Sequence, residues 1–399
     1  MANTFTQDDF LNHKNFCLYP FTQLYCLATP DGFRVKPCCE TTESKEVYTD
    51  TISSIKNHAF LKDLRQNFIN DRALPEMCSR CIADEIASDG KYSRRLSRLD
   101  NYIDFTFEVN SNGELLSEVQ DLDLRPSNTC NLKCIMCNPW DSSKWGEDID
   151  VYNSTFLQFP TQEDLNILRE HINKAKQYTD WEELLSLSNN LKRVFIAGGE
   201  PFYMKNALKF LQDLVNADVA KNINLEITTN AVSINSELIV LLQQFMDVRI
   251  TISIDGVENV NDIIRYPTDW DAYCLNIELL YNSFPDKIYF NTTVSALNLL
   301  DIVNIINFTT KYKNSSIILG ECVEPDLLSI NSLKPEIIIK FKELLEQSTI
   351  STRDKNWCEL LINNYQYNRE NNEKMKVYLE KLDNKRNTNS KRVLPWCWV

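Results

Sequence analysis

From Asp121 onward the chain alternates short apolar, β-branched runs with amphipathic stretches, and this alternation restricts the fold more than any other feature. Residues 122–125, 193–197, 224–229, 248–254, 288–294 and 316–319 read as strands. Residues 163–177, 181–187, 204–215, 236–245, 270–283 and 302–311 read as helices between and after them. Parallel strands need crossover connections, so six strand–helix units predict an α/β fold: a parallel sheet curled into a partial (β/α)6 barrel of the TIM type. In such barrels the chemistry gathers at the C-terminal ends of the strands.

The loop after the first predicted strand carries the strongest chemical pattern. Cys130, Cys134 and Cys137 form a CxxxCxxC triplet within residues 125–140. Three thiolates on one short loop can each hold one iron of a cubane cluster. Electron-transfer clusters take four cysteines, so a triplet leaves one iron open to the amino and carboxylate groups of a small molecule. Half of a zinc site is the alternative, although zinc sites favour CxxC pairs over a three-residue gap.

A second group, Cys17, Cys26, Cys38, Cys39, Cys78 and Cys81, lies in the first hundred residues. A strand at 24–27, a turn at Pro30-Asp31-Gly32 and a return through 34–36 form a hairpin that brings Cys17 near Cys38 and Cys39. An amphipathic helix over 53–70, with Ser53 or Ser54 as its N-cap, leads to the CxxC pair Cys78/Cys81. Cys17, one of Cys38 or Cys39, Cys78 and Cys81 suit a second iron–sulfur cluster or a zinc knuckle. Residues 103–109 and 114–119 read as a further hairpin across Asn110-Ser-Asn-Gly113.

Composition excludes several classes. A formal net charge of −14 argues against nucleic acid or an anionic membrane surface as partner. No apolar run approaches the length of a membrane span, and the first residues show no basic start or apolar signal segment. A cytoplasmic setting is therefore expected, in which thirteen cysteines serve as ligands rather than disulfides. With eight glycines and no P-loop spacing, phosphate-cradling loops are not expected. The three histidines, His13, His58 and His171, fall in no motif, so histidine base chemistry is not expected.

After CxxxCxxC, the order of motifs along the predicted strands resembles the radical S-adenosylmethionine (SAM) superfamily. Ala197-Gly198-Gly199-Glu200-Pro201 follows the second strand, Thr229-Asn230 ends the third, and Ser253-Ile254-Asp255-Gly256 ends the fourth, with Arg265 beyond. The resemblance implies a 4Fe–4S cluster on Cys130, Cys134 and Cys137 that binds SAM and reduces it to methionine and a 5′-deoxyadenosyl radical. It implies that Gly198, Gly199, Glu200 and Pro201 meet the SAM amino group. Ser253 and Arg265 would grip its carboxylate, with Asp255 beside them. Asn298 and Val323 would shape the adenosine site, and Met136, where the superfamily often has an aromatic residue, would pack over adenine. The Cys17…Gly32…Cys38 spacing followed by CxxC resembles the twitch or SPASM accessory-cluster domain, here placed before the barrel rather than after it.

The expected organisation is an accessory iron–sulfur domain over 1–120, a barrel over 121–325 and a helical extension over 326–399. The expected cofactors are SAM and two 4Fe–4S clusters. The expected partners are a peptide or small-molecule substrate and an electron donor of the flavodoxin or ferredoxin kind. In the extension, 337–348 and 356–382 read as helices and 385–391 as a polar, mobile linker. The closing Val393-Leu-Pro-Trp-Cys-Trp-Val399 reads as an apolar tag docked on the protein's own surface, and Cys274, Cys322, Cys358 and Cys397 as structural. Cys322, at the sixth strand's end, is placed to face the cavity.

Overall fold

The computed structural model describes residues 2–6, 13–41, 47–90, 93–99, 106–174 and 180–399. Its strands are β1 (Ala2–Thr6), β2 (Gln23–Thr29), β3 (Gly32–Arg34), β4 (Tyr48–Thr49), β5 (Thr106–Asn110), β6 (Asp121–Arg125), β7 (Arg193–Ile196), β8 (Asn224–Thr229), β9 (Asp247–Ser253), β10 (Ile288–Val294) and β11 (Ser316–Glu321). Nine of them form one sheet in the order β11-β10-β9-β8-β7-β6-β2-β3-β4. From β6 to β11 every pairing is parallel and between consecutive strands. Helices such as Lys205–Asn216, Ser236–Leu242 and Trp270–Ser283 supply the crossovers.

Side-chain alternation explains what each face of this sheet does. Leu122, Leu124, Val194, Ile196, Ile250 and Ile252 are all 0% exposed and form the apolar side. The opposite face carries charge. Asp121 and Arg193 are register partners bonded at 2.8 Å, and Arg193 also reaches Glu226 at 2.6 Å. Asp123 accepts from Arg125 Nε at 3.1 Å. Breaking a buried ion pair costs about 3–5 kcal/mol, so this polar face holds together only because its charges are matched.

The N-terminal segment is built onto the same sheet. β2 lies parallel to β6 from Gln23↔Asp121 to Leu27↔Arg125, and β3 and β4 add antiparallel strands beyond it. One continuous core therefore includes Phe16 near one end of the chain and Cys397 near the other. The helix expected over 53–70 is two helices, Ser53–Lys56 and Ala59–Ile69. His58 Nδ1 accepts from Phe60 N and starts the second, while neither Ser53 nor Ser54 acts as a cap. Arg65, 1% exposed, stabilises the break by donating to Pro20 O, Asn57 Oδ1 and Gly113 O. The hairpin expected over 103–119 falls partly outside the described residues. Within them β5 pairs with β1, and a single bridge joins Val109 to Leu115.

The C-terminal extension is more ordered than its composition suggests. The expected helix over 356–382 is two, Thr352–Asn363 and Arg369–Arg386, because Asn368 caps the second and Asn331 Oδ1 holds the intervening turn at Gln366 N. The expected linker over 385–391 is also structured. Asp383 accepts from Thr388 Oγ1, Ser390 N and Ser390 Oγ, which anchors the short helix Ser390–Val393. The tail docks beside the end of β10 through Trp396 Nε1 to Ala296 O at 3.0 Å, with Cys397 fully buried. Among the described residues no helix is long and apolar enough to cross a membrane.

Candidate active site

The triplet loop owes its shape to the residues between its cysteines. Leu132 and Ile135 are 1% and 3% exposed and anchor the loop, while Cys130, Cys134 and Cys137 are only partly buried. Lys133 N donates to Tyr266 O and Ile135 N to Ile264 O, each at 2.7 Å, so the loop lies against the chain around Arg265. Behind it, Trp145 Nε1 donates to Cys134 O at 3.1 Å and Tyr378 Oη to Ile135 O at 3.1 Å. The second of these bonds comes from the helix Arg369–Arg386, for which the sequence offered no motif.

The three cysteines line a cavity of about 350 Å³ at the C-terminal ends of the strands, together with Met136, Gly198, Gly199, Thr229, Asn230, Ser253, Asp255 and Arg265. Gly198 and Gly199 have φ of +84° and +55°. A side chain at Gly199 would strike Thr129 O at 2.4 Å, so only glycine lets the turn lie this close to the triplet loop. Arg265 Nη1 donates to Asp255 Oδ2 at 2.6 Å, and Asp255 Oδ1 accepts from Thr293 N at 2.9 Å. Arg265 Nε is buried without a hydrogen-bond partner.

Four expected site residues stand off the cavity. Glu200 is 0% exposed, and its oxygens are occupied within the protein. Oε1 accepts from Thr229 Oγ1 and Phe202 N, and Oε2 from Asn230 N. It ties the ends of β7 and β8 together beneath the glycine pair. Pro201 is buried in the following turn. Asn298, also 0% exposed, braces strand ends by donating to Asp255 O and Thr293 O, both at 3.0 Å. Val323 is 57% exposed. Its neighbour Glu324 lines the cavity instead, as do Asp141, Ser142, Thr228 and Thr293. The strand-end rule would have found Thr228, Thr293 and Glu324. Asp141 and Ser142 had no such signal. Cys322 is 2% exposed, points its sulfur at Glu324 O, and is absent from the lining.

Burial dominates the electrostatics of the loop. Burial, with Cys134 nearby, pushes the Cys130 thiol up to about 12. Burial also raises Cys134, against the opposing pull of Arg265, and lifts Cys137 well above the ordinary thiol range. Thiolates in such surroundings need positive charge, which a bound metal centre supplies. The donor set, three sulfurs facing one cavity beside a glycine pair and a buried arginine, fits a cluster with one open iron.

A second thiol group sits beside the extended sheet. Cys17, Cys38, Cys78 and Cys81 line one narrow cavity with Tyr19, Pro37 and Arg94. Arg95 brings its walls together. It donates to Phe16 O at 2.8 Å and to Glu85 Oε2 at 2.6 Å, linking the segment of Cys17 to the helix Ser79–Ala87 that carries Cys81. Burial raises Cys17 and Cys38 above the usual range and pushes Cys78 up to about 11. Cys39 is outside this lining, with its sulfur 3.6 Å from Glu40 Oε1. Cys26 is 0% exposed in the core. As the side chains stand, no three cysteine, histidine or acidic groups among the described residues are drawn together into a ready-made metal site.

Residues 124–309 match the model of the Radical SAM superfamily. A relative, the uncharacterized protein MJ0907 of Methanocaldococcus jannaschii, is 32% identical over 152 residues, 38% of this chain and 43% of that protein. The chain thus matches less than half the length of that relative. Among solved structures, anSMEcpe with bound AdoMet has 17% identity and a TM-score of 0.38, covering 63% of this chain and 64% of that one. Streptococcus suis SuiB bound to S-adenosylmethionine has 15% identity and a TM-score of 0.34, covering 87% and 65%. The radical SAM match begins on β6 and ends in the helix Ile302–Thr309, so it takes in the triplet, the glycine pair, Arg265 and Asn298.

Proposed function

We propose that the chain reductively cleaves SAM at a cluster held by Cys130, Cys134 and Cys137, and uses the resulting radical to abstract hydrogen from a peptide or protein substrate. The observation that carries this reading is the convergence of triplet, glycine pair and Arg265 on one cavity at the strand ends. When bound, the cluster and SAM supply one-electron cleavage to methionine and a 5′-deoxyadenosyl radical. The residues of this chain bind and orient. Arg265, steadied by Asp255, offers a planar fork to a carboxylate. The backbone at Gly198 and Gly199 allows close approach of an ammonium group, with Glu200 bracing the turn from below. Met136 offers an apolar surface to adenine.

A peptide substrate is favoured over a small metabolite by the open side of the sheet. β11 is an end strand, and Ile318, Gly320 and Glu321 are exposed along it. We assign the quartet Cys17, Cys38, Cys78 and Cys81 to an accessory 4Fe–4S cluster, in a unit spanning about 1–120 ahead of the barrel. A flavodoxin- or ferredoxin-type donor would deliver the electron. Anaerobic reconstitution followed by reduction with dithionite in the presence of SAM tests the reading. Two clusters per chain and formation of 5′-deoxyadenosine are expected. Zinc in the triplet, or intact SAM, would overturn it.

A further inference from the structure

The helix Arg369–Arg386 places a guanidinium directly behind the triplet loop. The Arg386 and Asp148 side chains are each 1% exposed, and Arg386 Nε donates to Asp148 Oδ2 at 2.6 Å. The other oxygen of Asp148 accepts at 2.9 Å from Lys133, the residue before Cys134. The guanidinium lies 4.9 Å from the Trp145 ring centroid and 5.3 Å from that of Tyr266. Both of those residues hold the loop, Trp145 through Cys134 O and Tyr266 through Lys133 N. Yet Arg386 Nη1 and Nη2 are buried with no hydrogen-bond partner.

Unpaired nitrogens in the interior forfeit hydrogen-bond energy. Space between two rings is filled at less cost by methionine, so packing alone is a poor reason for arginine here. Charge is a better one. Two cations, Arg386 and Lys133, face one buried anion, Asp148. The further partner of Lys133, Glu147, is 52% exposed and screened by solvent. Positive charge is thus buried behind Cys134, on the far side of Trp145 and Lys133 from the cavity.

We propose that Arg386 is a positioning residue that sets the reduction potential of the cluster on the Cys130–Cys134–Cys137 loop. The proposal rests on the functional reading above. The reduced cluster carries one more negative charge than the oxidised one. A buried cation therefore favours reduction by an external one-electron donor, and Asp148 opposes it.

The test is a redox titration of the full-length, reconstituted protein followed by electron paramagnetic resonance. The triplet's signal is the one that changes when SAM is added. If the unaltered protein shows no SAM-responsive signal, the functional reading falls before any variant is compared. Arg386→Met is expected to shift the equilibrium about tenfold toward the oxidised state, a potential lower by about 59 mV for one electron. Asp148→Asn should shift it in the opposite direction. Arg386→Lys should restore most of the loss, and Tyr378→Phe, which removes only a neutral bond to the loop, should leave the potential alone. An unchanged potential in Arg386→Met overturns the proposal, as does a shift of the same sign in Asp148→Asn. If Arg386→Met takes up no iron, Asp148→Asn decides alone: a raised potential supports the proposal and any other result ends it.

Discussion

Cys130, Cys134 and Cys137 come from eight consecutive residues and look into a cavity walled by glycine backbone, Asn230, Asp255 and Arg265. Cys17, Cys38, Cys78 and Cys81 come from three separated segments and face a narrow cleft walled by Tyr19, Pro20, Pro37 and Phe68. The first cavity has three sulfurs with polar groups across from and beside them in its lining. The second has four sulfurs in a narrower cleft, where Arg94, Arg95 and Glu40 stand beside the apolar walls. The difference teaches what each can do. An open, polar cavity leaves room for a small charged molecule, whereas the narrow cleft does not.

Four experiments would break or sharpen that contrast. The largest effect is expected from replacing Cys130, Cys134 and Cys137 together by alanine. One cluster should vanish and SAM cleavage should stop altogether, as measured by 5′-deoxyadenosine after anaerobic reduction. Any cleavage above background would mean that the contrast has been assigned the wrong way round. Next is the double variant Cys78→Ala, Cys81→Ala. Half the iron should be lost while 5′-deoxyadenosine still forms, yet no modified substrate should accumulate. Unimpaired product would reduce the N-terminal centre to a structural clamp.

The Cys38/Cys39 pair gives a finer test. Because Cys38 lines the quartet cavity and Cys39 does not, Cys38→Ala should lose the accessory cluster and Cys39→Ala should keep it. Iron content and Mössbauer spectra of the two variants would show this, and the reverse pattern would exchange the two cysteines. The smallest effect belongs to Arg265→Lys. A point charge in place of the fork should weaken SAM binding about tenfold, roughly 1.4 kcal/mol, with both clusters intact. Equal affinity by equilibrium binding would leave Arg265 as a partner of Asp255 only.

Much of the site was legible because strand-end chemistry follows from local patterns. The triplet, the glycine pair and Ser253, Asp255 and Arg265 each lie where a strand-and-turn reading puts them, and the fold brings all of them to one cavity. Misplacements arose where a side chain's partner lies far along the chain. Glu200 is expected to meet the SAM amino group, but Thr229 and Asn230, on the next strand's end, donate to its carboxylate. Residues 385–391 read as a linker because charged and polar residues resemble solvent-facing chain. Thr388 and Ser390 are instead bonded to Asp383, and Arg386 Nε to Asp148, so these residues are held inside the fold.

The alternation of apolar runs by itself determined that this chain forms a mostly parallel α/β sheet, and cysteine spacing determined that three thiols stand on the loop after β6. Both follow from periodicities and ligand distances that act within a few residues. Only the tertiary structure decided that the N-terminal segment continues the sheet of β6 to β11, that Cys38 rather than Cys39 lines the cavity with Cys17, Cys78 and Cys81, and that the C-terminal helix grips the triplet loop. Those outcomes depend on hydrogen bonds, stacking and buried charge between residues as much as 243 positions apart, as Tyr378 is from Ile135. No local pattern encodes such a meeting, because each partner alone reads as an ordinary helix or loop residue.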